Sequence, residues 1–192
     1  MTNIVYLNKK YVQFKDAKIP IEDRGFQFSD SVYEVIKVLN YKLLDIDFHI
    51  RRLKYSTKEL NFNININKNL LTKIFINLVK KNKLSNGIIY LQITRGFQSR
   101  EHAYKNNLKP NIIIYTVKRR FNLPNRNYKG YKVITYPDIR WGRPDIKTTS
   151  LLANIIAAKE ASKKGAYETV LVKGNKVTEG SHSNVWIIKK NK

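Results

Sequence analysis

The spacing of apolar positions changes several times along this 192-residue chain, and each change predicts an element. "IVYLNKKYVQF" carries apolar runs on both sides of a polar turn at Asn8 to Lys10, which predicts two short strands. "SVYEVIKVLNYKLLDID" repeats that arrangement with a turn near Asn40 and predicts a second strand pair. In "DIDFHIRRLKYSTKEL" the spacing lengthens to three and four. Ile46, Ile50 and Leu53 share one stripe, Phe48, Arg52 and Tyr55 another, and Asp45 or Asp47 is placed to cap the helix. "KNLLTKIFINLVKKNK" predicts a second helix whose apolar face is Leu71, Ile74, Phe75 and Leu78.

Two β-rich segments follow, "GIIYLQITRG" and "PNIIIYTVKRR", joined by a polar loop. "FNLPNRNYKG", residues 121–130, has the Pro, Asn and Gly content of a linker and sets the expected boundary between domains 1–120 and 121–192. Beyond it come a strand, "YKVITYP", and a helix, "SLLANIIAAKEASKKG", with Ser150 as its cap and Gly165 as its stop. A hairpin "ETVLVKGNKVTEG" turns at Gly174-Asn175, and "SNVWIIKK" reads as a last strand. The expected fold class is α/β in two domains.

Composition adds limits. Cysteine is absent, which excludes disulfides and thiolate chemistry. No apolar run approaches the roughly 20 residues that span a bilayer, and the lysine-broken N-terminus lacks a signal-peptide core. A soluble cytoplasmic protein without a membrane partner is expected. The formal net charge of +23 invites a nucleic-acid partner. However, Lys, Asn, Ile and Tyr are abundant throughout, all with A/T-rich codons, and the basic residues form no long block. No specific nucleic-acid partner is therefore expected. There is no GxGxxG, Walker A or HExxH motif, and His49, His102 and His182 are far apart, so no metal site is expected.

Among 37 lysines and arginines, a single lysine is ordinarily a solvated charge. The neighbours of Lys147 set it apart: "DIK", then the helix, then "VTEGSHSNVW" with Glu179. "DRGFQFSDSVYEVIKV", "HIRRL" and "TRGFQSREH" precede them in order. With these motifs the chain resembles, over its whole length, the fold-type IV pyridoxal-phosphate enzymes, and among them most closely the D-amino-acid aminotransferases.

The resemblance implies a two-domain fold-type IV architecture, pyridoxal 5'-phosphate as cofactor, amino-acid and 2-oxo-acid substrates, and a homodimer. It implies that Lys147 binds the cofactor covalently and shuttles a proton, which requires its amine in the neutral form. Glu179 would pair with the pyridine nitrogen and keep it protonated. Arg52, in the register of His49 and Leu53, would anchor the phosphate, leaving Arg51 as a surface charge. Arg100 and His102, two residues apart on one loop, would receive the substrate carboxylate with Tyr33. Branched-chain aminotransferase and aminodeoxychorismate lyase are the alternatives inside the family; an inactive fragment or a basic binding module are those outside it.

The chain also departs from the family pattern. Ser29 and Ser31 replace glycines around Asp30 and are expected to crowd that strand. His182 stands where a small hydroxyl residue is usual. The resemblance further implies strands and a phosphate-binding glycine-threonine loop beyond the SNV strand, so the second domain is expected to be incomplete, with a separately encoded C-terminal segment as an expected partner.

Overall fold

A computed structural model describes residues 4–121 and 129–190. The chain forms two compact units: Met1–Asn122 with Asp145–Thr149, and Leu123–Pro144 with Ser150–Lys192. The expected boundary segment, residues 121–130, lies mostly outside the described residues.

The first unit is built on a six-stranded sheet in the order β2-β1-β6-β5-β3-β4. Its strands are β1 (Ile4–Leu7), β2 (Lys10–Gln13), β3 (Ser31–Leu39), β4 (Lys42–Leu43), β5 (Gly87–Thr94) and β6 (Asn111–Lys118). All the pairings are antiparallel. Asn8 and Lys9, then Asn40 and Tyr41, turn the two hairpins with positive φ, the backbone that tight two-residue turns need. One face of the sheet carries Val32, Ile36, Val38, Ile89, Leu91, Ile93 and Ile114. It is covered by α2 (Ile46–Glu59), through Ile50 and Leu53, and by α3 (Lys68–Lys81), through Leu71, Ile74, Phe75 and Leu78. The predicted α3 stripe is thus the buried one. On α2 only the Ile50–Leu53 stripe is buried, while Phe48 and Tyr55 face solvent.

The Asp45 cap differs from expectation. Asp45 precedes α2 in the left-handed region, φ 52°, and its side chain makes no capping hydrogen bond. Asp47 instead pairs with Lys68 at the start of α3. A short helix the apolar spacing does not announce, α1 (Arg24–Phe28), is set by Asp23, whose carboxylate accepts from the N–H groups of Gly25 and Phe26.

The second unit holds a three-stranded sheet of β7 (Val133–Pro137), β8 (Glu168–Lys173) and β9 (Lys176–Gly180). β7 and β8 are parallel, joined through α4 (Leu152–Lys163), and β9 returns antiparallel. Ala157 and Ala161 of α4 are buried with Leu171, and Thr169 Oγ1 donates to the Ala157 carbonyl at 2.7 Å. Gly165 follows the helix at φ 58°, as predicted, but the residue at the N-cap is Leu151 rather than Ser150. "SNVWIIKK" forms no strand. It has no ladder partner among the described residues, and Trp186 is 88% and Ile187 82% exposed. A strand is held by its neighbour's hydrogen bonds, so apolar content alone does not make one. Among the described residues no helix is long and apolar enough to cross a membrane.

Candidate active site

In the first unit the segment Asp145–Thr149 runs along β3. Thr148 bridges Val32, the Tyr33 N–H donates to the Lys147 carbonyl at 3.0 Å, and the Thr149 N–H to the Ser31 carbonyl at 3.2 Å. The Lys147 N–H donates to Ser56 Oγ of α2 at 3.2 Å, and Ile146 joins the apolar core. These bonds place Lys147 with the first unit. The linker-based boundary put it in the second, because linker composition carries no record of long-range strand pairing.

The backbone on both sides of Lys147 is thereby fixed, and its half-buried side chain lies along Tyr33. The Nζ donates to the Tyr33 hydroxyl at 3.2 Å and stands 4.2 Å from the ring centre. Tyr33 stacks on Tyr90, which packs on Tyr115, across β3, β5 and β6. Burial, helped by the neighbouring phenols, pushes the Tyr90 hydroxyl well above its ordinary range. The expected crowding at Ser31 does not arise. Its fully buried hydroxyl accepts from Gln92 Nε2 at 3.0 Å and bonds Thr149 Oγ1, so it ties the lysine segment to the sheet. Ser29 does carry strain, for it closes α1 at φ 56° where glycine fits best.

On the opposite face of β3, Glu34 is 1% exposed among apolar neighbours. Arg52 grips both of its oxygens, Nε to Oε1 and Nη2 to Oε2, each at 2.7 Å. His49 Nδ1 donates to Oε2 at 2.7 Å. Burial alone would push the Glu34 carboxyl up, but the Arg52 and His49 hydrogen bonds outweigh it and hold the group below the ordinary carboxylate range. The HxxRL spacing is explained here: Leu53 pins the turn in the core while His49 and Arg52, three apart, meet one acid.

Arg100 and His102 stand on the exposed loop after β5. The Arg100 guanidinium is 4.9 Å and the His102 ring 5.4 Å from the centre of Phe28. Among the described residues neither hydrogen-bonds Tyr33 or Lys147. The loop is set from below by buried Arg24, whose Nη1 and Nη2 donate to the carbonyls of Glu101 and His102 at 2.6 and 3.0 Å. Asp30 holds Arg24 and Arg95 together, at 2.8 and 2.7 Å. Gly96 turns into this loop at φ 109°, where an added Cβ would meet the Lys109 carbonyl oxygen at 2.2 Å.

In the second unit Glu179 lies on β9, partly exposed, and is bonded by Arg140. Asp138 accepts from Arg140 Nε and Nη2 at 2.9 and 2.8 Å and from Thr178 Oγ1 at 2.7 Å. The Arg140 hydrogen bonds hold the Asp138 carboxyl far below its usual range, and Asp138 in turn raises Arg140. Glu179 therefore faces a permanent cation. His182 pairs with the buried Glu168 at 2.9 Å, where Ser181 and Ser183 also bond.

Glu34, Arg24 and Arg140 were not singled out from the sequence. Glu34 left a readable signal, an acid in the inward phase of an otherwise apolar strand, Val32, Ile36, Val38. Arg24 left none beyond its motif, since it holds the loop through the carbonyls of Glu101 and His102; Arg140 has a near neighbour in Asp138, but its bond to Glu179 spans 39 positions.

The amino-transferase class IV family model matches residues 31–192. The D-alanine aminotransferase of Bacillus licheniformis is 37% identical over 188 residues, 97% of this chain and 66% of that protein. That of Listeria innocua serovar 6a (strain ATCC BAA-680 / CLIP 11262) is 38% identical over 187 residues, 96% of this chain and 65% of that protein. The chain thus spans just under two thirds of the length of these curated relatives. A branched-chain amino acid aminotransferase from Escherichia coli has the same fold, with a TM-score of 0.81 at 19% identity over 94% of this chain and 63% of that one.

Proposed function

We propose a function from the family outward: this chain belongs to the amino-transferase class IV family, and its residues suit pyridoxal-phosphate-dependent transfer of an amino group from a D-amino acid to a 2-oxo acid. We infer D-alanine and 2-oxoglutarate, giving pyruvate and D-glutamate, as the substrate pair; the relatives' name, D-alanine aminotransferase, supports the D-alanine part of that reading.

The observation that carries the reading is Lys147, its backbone bonded on both sides and its amine 3.2 Å from the Tyr33 hydroxyl. The donor set suits pyridoxal phosphate: an amine for an aldehyde, a guanidinium for a phosphate, a carboxylate beside a fixed arginine for a ring nitrogen. When bound, that cofactor supplies the electron sink that lets a substrate lose its α-hydrogen. Lys147 binds it and, once released, carries the proton. Tyr33, as acceptor of the lysine's hydrogen bond, steers the Nζ. Arg52 anchors the phosphate, and Glu179, paired with Arg140, keeps the ring nitrogen protonated. Arg100 and His102 receive the substrate carboxylate with Tyr33 and set the preference for D-alanine over L-leucine. The working form is a homodimer. Ile21, Phe26 and Phe97, exposed around the Asp23–Phe97 bridge, support a face for a second copy.

Borohydride reduction of the protein with pyridoxal phosphate, followed by peptide mass spectrometry, tests the assignment. The modified peptide is expected to contain Lys147, and Lys147→Ala should lose the visible cofactor band. A label on another lysine that survives Lys147→Ala would overturn it.

A further inference from the structure

Glu34 occupies a position where the alternation of β3 calls for an apolar side chain, between Val32 and Ile36. A bare carboxylate there is costly, and removing its partners would leave a buried charge. Both partners come from a single turn of α2. Arg52 binds two-pointedly at 2.7 Å, and His49 binds through Nδ1 at 2.7 Å. Leu53, adjacent to Arg52 and fully buried, fixes that turn on the sheet. The acid faces the core while the Arg52 side chain is 43% exposed, so the carboxylate lies beneath the two donors.

We propose that Glu34 is a positioning residue: it holds the Arg52 guanidinium and the His49 imidazole in the orientation in which they receive a phosphate group. This rests on the reading of Arg52 as phosphate anchor. Two effects of Glu34 oppose each other. Its negative charge works against a phosphate, whereas its two-point grip removes the rotamer freedom that a long arginine would otherwise lose on binding. The charge is shared between two donors and shielded beneath them, so a ligand meets the donors first. Orientation decides the outcome.

Pyridoxamine phosphate and pyridoxamine provide the test, because they differ only in the phosphate and form no bond with Lys147. The ratio of their dissociation constants on the 192-residue chain, measured by calorimetry, isolates the phosphate contribution. General loosening of the fold shifts both constants together and leaves the ratio unchanged. Glu34→Gln is expected to lower the preference for the phosphorylated ligand about ten-fold or more, the size of effect that groups orienting metal-binding side chains have. An unchanged or increased preference overturns the proposal. Arg52→Ala separates the two levels. If it leaves the ratio intact, the phosphate reading falls and the role of Glu34 with it; if it lowers the ratio while Glu34→Gln does not, only the positioning role falls. Should Glu34→Gln fail to fold, Arg52→Lys keeps the cation but not the two-point grip. It is expected to lose a similar share of the preference, and a lysine that retains the wild-type ratio overturns the proposal.

Discussion

At the residue scale, individual side chains owe their importance to the backbone that holds them. Lys147 is one of 37 lysines and arginines, distinguished by the hydrogen bonds that tie its own backbone to Tyr33 and Ser56 and that of Thr149 to Ser31. Glu34 makes a pH prediction. Its pKa is depressed on folding, so its contribution to stability is complete above the ordinary value of 4.5 and is lost as pH falls through the lower folded-state value. As pH falls below the ordinary value of 4.5 and through the lower folded-state value, wild-type thermal stability should therefore drop more steeply than that of Glu34→Gln. Equal slopes, followed by circular dichroism, would remove Glu34 from the acid limb. On the proposed role of Arg100, Arg100→Ala should lower kcat/KM for D-alanine roughly 30- to 1000-fold, the loss of one charge-assisted contact of about 2–4 kcal/mol. Unchanged kinetics would move the carboxylate trap elsewhere.

At the element scale, the sequence is most legible where one periodicity runs long enough to bury a face. The α3 stripe and the alternation of β3 and β5 are of that kind. It is least legible where a single polar contact sets the geometry. α1 exists because Asp23 caps it, and it ends at Ser29 in the left-handed region. That end offers a direct test. Ser29→Gly relieves a side chain from a conformation costing roughly 1–2 kcal/mol, against some extra entropy in the unfolded chain. A net gain of about 0.5–1 kcal/mol in urea unfolding is expected. A loss would mean that Ser29 is held by contacts that outweigh its φ. The predicted "SNVWIIKK" strand shows the converse error: apolar residues with β propensity, but no partner ladder among the described residues.

At the scale of the whole molecule, protection should follow the sheet. β3, β5 and β6 are interior in the strand order and carry Val32, Ile36, Ile89, Leu91, Ile93 and Ile114 at or near zero exposure. Their amides are expected to exchange with deuterium most slowly, and those of residues 184–190 close to the unprotected rate. Mass spectrometry of peptides resolves the two; comparable rates would contradict the described fold. The amino-acid sequence by itself determined the hairpins and the two amphipathic helices and singled out the candidate lysine, because periodicity, turn chemistry and motif order are local properties. Only the tertiary structure decided which unit holds Lys147, that Tyr33 lies against it, and that Glu34, Arg24 and Arg140 hold the proposed ligand-binding groups or their loop. Those contacts join residues from 15 to 114 positions apart. Burial and charge pairing make them favourable only after strands and helices have packed, and beyond the inward-phase acid at Glu34 linear spacing carries no trace of that step.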